Sequence, residues 1–259
     1  MFTVATHLVK EMSKESFSDF LDERISAPLN MNSTTLQPTS AHAKGWGDRM
    51  AKGYIWKNNA WRGFDPQNCP KGQGAGSIIS SANDLIKWVK ALLYHEGPIN
   101  DRVYQGLTKM RSTVKPNARK LKAHTTPANY AAGMEVHFYR ENMVIGHHGN
   151  IPGFSSCFMF MPDSKFGAVV LANSAKAGGA VTVIMRALMD EVLRVPIEER
   201  PSQNNNKRKV NGPKKDLAIH SKTQPGQSKG QPSEDSQVES KAEPKKKAKK
   251  EKNKVIQQP

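Results

Sequence analysis

The stretch of this chain best suited to chemistry is residues 146–156, which read Gly-His-His-Gly-Asn-Ile-Pro-Gly-Phe-Ser-Ser. Histidine changes charge near neutral pH, so a side chain such as His147 can move a proton or hold a negatively charged group. A glycine such as Gly149 lets a ligand approach the backbone closely. The pattern therefore indicates one wall of an active site.

The sequence around this wall predicts that it is a strand of an antiparallel sheet. Apolar and aromatic segments are separated by short polar turns, which is typical of a meander. We predict strands over 130–172, with turns at 140–142 and 162–165. Successive strand residues point to opposite faces, so His147 and His148 should point apart, which argues against the adjacent pair chelating a metal.

Four segments together carry a resemblance to a known family. They are His-x-Gly at 147–149 followed by Pro-Gly-Phe-Ser-Ser, the helix end and Pro-Leu-Asn-Met stretch within 17–35, Gly53-Tyr54, and the Gly-rich turn and helix start at 74–85. At these residues the chain resembles the serine β-lactamase and penicillin-binding-protein superfamily, on the class C branch that includes related esterases and D-amino-acid peptidases. The resemblance covers residues 1–195.

This resemblance implies specific roles for the residues of the strand. In that family His147 would replace the lysine of a Lys-Thr-Gly triplet beside the nucleophile, although a hydrogen-bonded structural histidine is the alternative. Gly149 would leave room for an acyl group, and the backbone N–H of Asn150 would be one oxyanion donor. The residues assigned to substrate binding are His148, Trp46 and Trp56. For the two tryptophans, packing is the alternative that we favour. No cofactor and no metal are implied.

Two further motifs of that family are missing. Its nucleophile lies in Ser-x-x-Lys on a helix, where one turn brings the lysine amine to the serine hydroxyl. The only such spacing here is Ser112 to Lys115, which lies in the wrong place and is followed by the helix breaker Pro116. No tyrosine begins Tyr-x-Asn or Tyr-x-Ser. We therefore predict the C-terminal portion of a larger domain, inactive alone; a short paralogue, a truncated gene model and an expression fragment all stay open.

The fold class follows mainly from the resemblance. We predict an α+β domain over 1–195, with an antiparallel sheet flanked by helices, incomplete at its N-terminus and closed by a helix at 181–193. Residues 196–259 are predicted to be a disordered Lys-rich tail. From Pro201 onward the chain lacks Phe, Trp and Tyr, so it cannot bury enough surface to offset its conformational entropy.

The charge of the chain is concentrated in this tail. Residues 201–259 carry 15 Lys and Arg against 6 Asp and Glu, which is +9 of a formal net charge of +16. The runs at 207–209 and 244–250 resemble nuclear-localisation or polyanion-binding patches, and a solubilising tail is the alternative. A non-catalytic protein whose tail contacts nucleic acid or another acidic partner is thus the competing function, beside a hydrolase that takes a small acyl substrate.

Cysteine usage and hydropathy indicate the compartment. Cys69 and Cys157 fit no zinc spacing and no disulfide framework, and no apolar run approaches the about 20 residues of a membrane span. The first nine residues lack the basic leader of a signal peptide. These features predict a soluble, cytoplasmic protein, with the nucleus as the alternative. The oligomeric state cannot be read from the sequence.

Overall fold

The structure is a computed structural model that describes residues 1–114 and 121–200. The helices are α1 (Phe2–Ser13), α2 (Phe17–Leu21), α3 (Pro38–Ala43), α4 (Gln73–Gly76), α5 (Ala82–Tyr94), α6 (Asp101–Thr108) and α7 (Gly178–Val192). The strands are β1 (Thr35–Leu36), β2 (Gly53–Lys57), β3 (Ala60–Phe64), β4 (Ile78–Ile79), β5 (Ser112–Thr113), β6 (Asn129–Tyr130), β7 (Glu135–Tyr139), β8 (Asn142–Ile151), β9 (Phe154–Met161) and β10 (Phe166–Ala172). From residue 201 onward, the predicted tail lies outside the described residues.

The main sheet has six antiparallel strands in the order β10-β9-β8-β7-β6-β5. Each strand pairs with its neighbour in the chain, so the predicted meander and the α+β class are confirmed. The hairpin between β7 and β8 turns through Arg140 and Glu141, whose φ angles are 45° and 67°. Two consecutive residues with positive φ form the kind of tight turn that matches the twist of the strands.

The two faces of this sheet are covered by different helices. Helices α5 and α6 lie on one side, which we call the α5 face, and α7 packs against β9 and β10 on the other, the α7 face. The buried core of the α5 face consists of Val89, Ala91, Leu92, Leu93, Ile99, Ala131, Met134, Val136, Ile145 and Phe160. That of the α7 face consists of Tyr139, Val144, Cys157, Met159, Met161, Ala168, Val181, Met185 and Met189.

Helix α5 forms where the sequence predicts it. The Ser81 hydroxyl caps its start by accepting the Asp84 N–H at 3.2 Å. Val89 and Leu92 then fall on its buried side and are 1% and 0% exposed. Burial of each such side chain stabilises the fold by about 1.5–3 kcal/mol. Because Gly167 of β10 has no side chain, Val89 can approach that strand closely.

A buried carboxylate ties α5 to the chain before β1. Asp84 is 3% exposed, and its Oδ2 accepts the Ser33 N–H at 2.7 Å and the Thr34 hydroxyl at 2.8 Å. Lys87 donates to Oδ1 at 3.1 Å. Burial alone would raise the pKa of Asp84, but these hydrogen bonds and the charge of Lys87 outweigh it and hold that pKa below its ordinary value. The carboxylate is therefore charged and fully engaged.

Residues 196–200, which the sequence places in the tail, continue the structure past the predicted boundary. Ile197–Glu199 form a 3-10 helix. Arg140 Nη1 contacts Glu199 Oε2 at 3.0 Å, and Arg200 Nη1 contacts Glu191 Oε2 at 2.8 Å. Within the described ranges, no helix is both long and apolar enough to cross a membrane.

Candidate active site

His147 stands on β8 and is half-buried. It shares the α5 face with Ile145, two residues before it. Its Nε2 lies 3.2 Å from the hydroxyl of Tyr130 on β6, and the two rings meet edge to face with centroids 6.0 Å apart. This contact holds the imidazole in one orientation and gives it a neighbour that can exchange a proton.

The glycines around His147 allow the strands to pack closely. A side chain at Gly146 would collide with the carbonyl of Phe158 and the Cα of Met159, which are backbone atoms of β9. A side chain at Gly149 would meet the Ser156 hydroxyl. Both glycines therefore lie where β9 leaves no room for a side chain, and Asn150, which follows Gly149, is exposed.

His148 lies on the opposite face from His147, as strand alternation predicts. It pairs across the strands with Cys157, and its Nε2 lies 4.0 Å from the Cys157 sulfur. Desolvation lowers the pKa of His148, and Lys122 acts in the same direction while Glu135 opposes both. The substrate-binding role predicted for His148 stays a prediction, because its neighbours on this face differ from those of His147.

Cys157 is not an activated thiol. It is 4% exposed, and desolvation raises its pKa to about 12, with Glu135 adding to the effect. A thiol with so high a pKa is almost wholly protonated at neutral pH, whereas the thiolate is the nucleophile and the metal ligand. In residues 1–114 and 121–200, no group of three His, Cys, Asp or Glu side chains could hold a metal ion.

The tryptophans assigned to substrate binding lie in or before the β2–β3 hairpin. Trp46 is half-buried, with the Lys44 amine 5.3 Å from its ring centroid. Trp56 is 45% exposed and packs edge to face on Trp61 across the hairpin, with centroids 5.4 Å apart. Trp56 is thus a surface aromatic paired with another surface aromatic, and its role in substrate binding stays a prediction.

Ser112, the only serine with the Ser-x-x-Lys spacing, lies on β5 at the edge of the main sheet and is exposed. Lys115 lies outside the described residues. A helical turn is what brings a lysine amine to a serine hydroxyl at this spacing, and Ser112 is in a strand. The position of Ser112 agrees with its exclusion as a nucleophile.

Tyr130 is the residue near His147 that sequence reasoning missed. Its neighbours do not form a Tyr-x-Asn motif, and 17 positions separate it from His147. Only the pairing of β6 with β7 and of β7 with β8 brings the two residues together. The predicted meander was the one signal that could have placed them on nearby strands.

Comparison with known proteins places this architecture in a family. The family described as Beta-lactamase matches residues 1–189. An unguisins hydrolase of Aspergillus campestris (strain IBT 28561) is 31% identical over 205 residues, covering 77% of this chain and 37% of the relative. Protein flp of Staphylococcus aureus (strain MW2) is 25% identical over 167 residues, covering 64% of this chain and 30% of the relative. The chain belongs to the β-lactamase family and spans less than two fifths of the length of these relatives.

Solved structures with the same fold are consistent with this membership. The octameric penicillin-binding protein homologue from Pyrococcus abyssi superposes with a TM-score of 0.61 at 21% identity, covering 77% of this chain and 42% of the other. A D-stereospecific amidohydrolase from Streptomyces sp. gives a TM-score of 0.56 at 21% identity, covering 71% of this chain and 51% of the other. At this identity the likeness concerns the fold alone.

Proposed function

We propose that this chain supplies the His-x-Gly wall of a β-lactamase-family serine hydrolase site and, by itself, does not turn over a substrate. The observation that carries the proposal is the arrangement of β8. His147 is held there by the Tyr130 hydroxyl, and a backbone bare at Gly149 follows it. Family membership supports the hydrolase assignment, and the strand position of Ser112 supports the lack of a nucleophile.

In the complete site, each of these groups would have a defined task in acyl transfer to water from an amide, ester or lactam. His147 would hold or pass a proton beside the attacking group. Gly149 would let the acyl group lie along the backbone of β8, and the Asn150 N–H would stabilise the oxyanion. An activated serine is the remaining requirement, and its loss removes most of the rate enhancement of such a site.

The test compares this chain with a longer one. We expect no hydrolysis of nitrocefin or p-nitrophenyl acetate above that of the Ser112→Ala variant, and no covalent labelling by a fluorophosphonate probe. Turnover at the level of an ordinary hydrolase that Ser112→Ala abolishes would overturn the proposal.

Sequencing upstream of the Met1 codon asks whether an in-frame Ser-x-x-Lys and Tyr-x-Asn precede it. If they do, the extended chain should be active, and His147→Ala should lower its kcat at least 100-fold.

The charge of residues 201–259 favours a second candidate function. Fifteen basic against six acidic residues would attract nucleic acid or another polyanion, in the cytoplasm or the nucleus. Binding of this kind releases counterions, so it should weaken steeply between 50 and 200 mM salt. Deletion of 201–259 should abolish it, whereas binding at the β8 site should be almost indifferent to salt and to the deletion. Equal nucleic-acid binding with and without the tail would contradict this function.

A further inference from the structure

One edge of the main sheet is long and open. The sheet ends at β10 on one side and at β5 on the other. β5 has two residues, whereas β10 has seven. Within residues 1–114 and 121–200, no strand pairs with the outer side of β10, and no loop backbone forms a hydrogen bond with it. Alternate N–H and C=O groups of β10 therefore point out of the sheet, ready to pair with another strand.

The residues of β10 do not protect this edge. Soluble proteins commonly shield an edge strand with charged side chains, with proline or with a β-bulge. β10 reads Phe-Gly-Ala-Val-Val-Leu-Ala, and it pairs with β9 residue by residue over its whole length. An apolar edge without these devices is the kind to which an extended strand is added.

On the α7 face, an apolar flank of α7 lies beside the open edge. Val181 of this helix is buried against the sheet. Arg186 points towards β7, because it donates to Thr125 in the segment that pairs with that strand. The helical repeat places Ile184 and Leu188 on the flank opposite Arg186, and both are exposed. The exposed flank of α7 is therefore on the β10 side.

On the α5 face, a groove of about 280 Å³ runs beside the same edge. It is lined by Ile86, Lys87, Val89, Lys90, Leu93 and Gly167. Both lysines already have acidic partners, since the Lys87 amine lies 3.1 Å from Asp84 and the Lys90 amine lies 3.2 Å from Glu96. The groove therefore suits an apolar side chain better than an anion.

We propose that two copies of this chain form a dimer through antiparallel pairing of β10 with β10. A two-fold axis at Val169, the midpoint of the strand, pairs all seven residues of each copy. Gly167 then faces Leu171 of the second copy on the α5 face, so this exposed leucine enters the groove. The pairing uses the same edge of both copies, and it therefore closes as a dimer.

The position of the covering helices favours a second copy as the occupant of the edge. Helices α5 and α7 each pack on both β9 and β10. Strands lie about 4.8 Å apart, so the two copies of each helix would be about two strand spacings, or about 10 Å, apart across the axis. Helices pack on one another at about 8–10 Å. Ile184 and Leu188 of the two copies would thus bury one another. β8, which carries His147, is two strands away, so this interface does not depend on the function proposed for that residue.

The test is analytical ultracentrifugation of the full chain from about 1 to about 100 μM, at a salt concentration that screens the charge of residues 201–259. We expect a species of twice the 28.7 kDa of one chain. Ile184→Lys and Leu171→Lys should each raise the Kd of the dimer at least tenfold, because they bury a charge among apolar side chains. Val183→Lys is the matched control, since Val183 and Ile184 are both 45% exposed but Val183 points away from β10. It should leave the Kd unchanged.

Hydrogen exchange supplies a second readout that needs no variant, in case a lysine variant fails to fold by circular dichroism. Alternate amides of β10 should be protected in the dimer and should exchange faster on dilution. Those of Ser112 and Thr113, at the other edge, should exchange equally fast at both concentrations. A monomeric mass at every concentration would overturn the proposal and leave β10 to a strand from outside this chain. A dimer that both Ile184→Lys and Leu171→Lys leave intact, an equal loss in Val183→Lys, or assemblies that grow beyond two copies would overturn it as well.

Discussion

The hydroxyl of Tyr130 lies 3.2 Å from Nε2 of His147, although β7 separates their strands in the sheet. This contact fixes the orientation of the imidazole. It also couples the position of a proton on the ring to the tyrosine, because the direction of donation depends on the tautomer.

Tyr130→Phe should therefore change the state of His147 while leaving the fold intact. We expect a loss of about 1 kcal/mol in the free energy of unfolding, which is typical of one half-buried hydrogen bond, and altered ring ¹⁵N shifts of His147. Urea denaturation and NMR measure the two effects. Tyr94→Phe is the control, because Tyr94 is 50% exposed on α5. Unchanged ring shifts in Tyr130→Phe would show that the contact does not hold the imidazole.

Gly146→Ala should be strongly destabilising. The added methyl group would meet backbone atoms of Phe158 and Met159, which cannot rotate away, so we expect a loss of about 3 kcal/mol or more. Gly106→Ala is the matched control, since nothing lies within 4 Å of the added atom. Gly106 is inside α6, where alanine is favoured by up to about 1 kcal/mol. The Tm should therefore fall in Gly146→Ala and rise in Gly106→Ala. Equal Tm values in the two variants would contradict the close packing of β8 on β9 at Gly146.

His137 should make the stability of the protein depend on pH. Its pKa falls from 6.5 to about 4 on folding, so the unfolded chain binds more protons between these values. The contribution of His137 is present above pH 6.5 and is lost as the pH falls, by about 2 kcal/mol between pH 7 and pH 5. Urea denaturation in phosphate-free buffer should show this loss. His137→Gln should remove it, whereas His7→Gln on exposed α1 should not; an unaltered slope in His137→Gln would refute the assignment.

Asp84→Asn should destabilise the junction of α5 and β1. Three donors converge on this buried carboxylate, and an amide cannot accept all of them, so we expect a loss of at least about 2 kcal/mol at pH 7. Because the folded pKa of Asp84 is below 3.8, its contribution is present above that pH and is lost as the pH falls further. Lys87→Gln, at a side chain 41% exposed, should cost much less. Equal losses of unfolding free energy in Asp84→Asn and Lys87→Gln would assign the stabilisation to the Asp84–Lys87 ion pair rather than to the other hydrogen bonds.

Local sequence patterns predicted the parts of the fold that depend on neighbouring residues. The meander of β7 to β10 follows from the apolar and aromatic segments and from the short polar turns that separate them. Boundaries were less accurate. The predicted closing helix at 181–193 is α7, which begins at Gly178 and ends at Val192, because Gly178 and Gly179 carry no apolar side chain that would mark its start.

Contacts between residues far apart in the sequence could not be predicted in the same way. Tyr130 meets His147, and Thr125 meets Arg186, across 17 and 61 positions of sequence. Such pairs depend on strand register and on which helix covers which face, and neither is encoded in a short window. The resemblance supplied His147, Gly149 and Asn150 because it compares whole motifs. It did not supply Tyr130, which belongs to none of these motifs.

Adjacent histidines on β8 face different environments, with Tyr130 near His147 and Cys157 near His148. Sliding this strand by a single position would exchange them, because the side-chain period of a strand is two. Such a slip would also move Gly146 away from the place where β9 has no room for a side chain. Gly146 therefore disfavours a misaligned pairing of β8 with β9, because a shift by one position would place a side chain against the backbone of Phe158. The same register that avoids this collision also puts each histidine on its own face of the sheet.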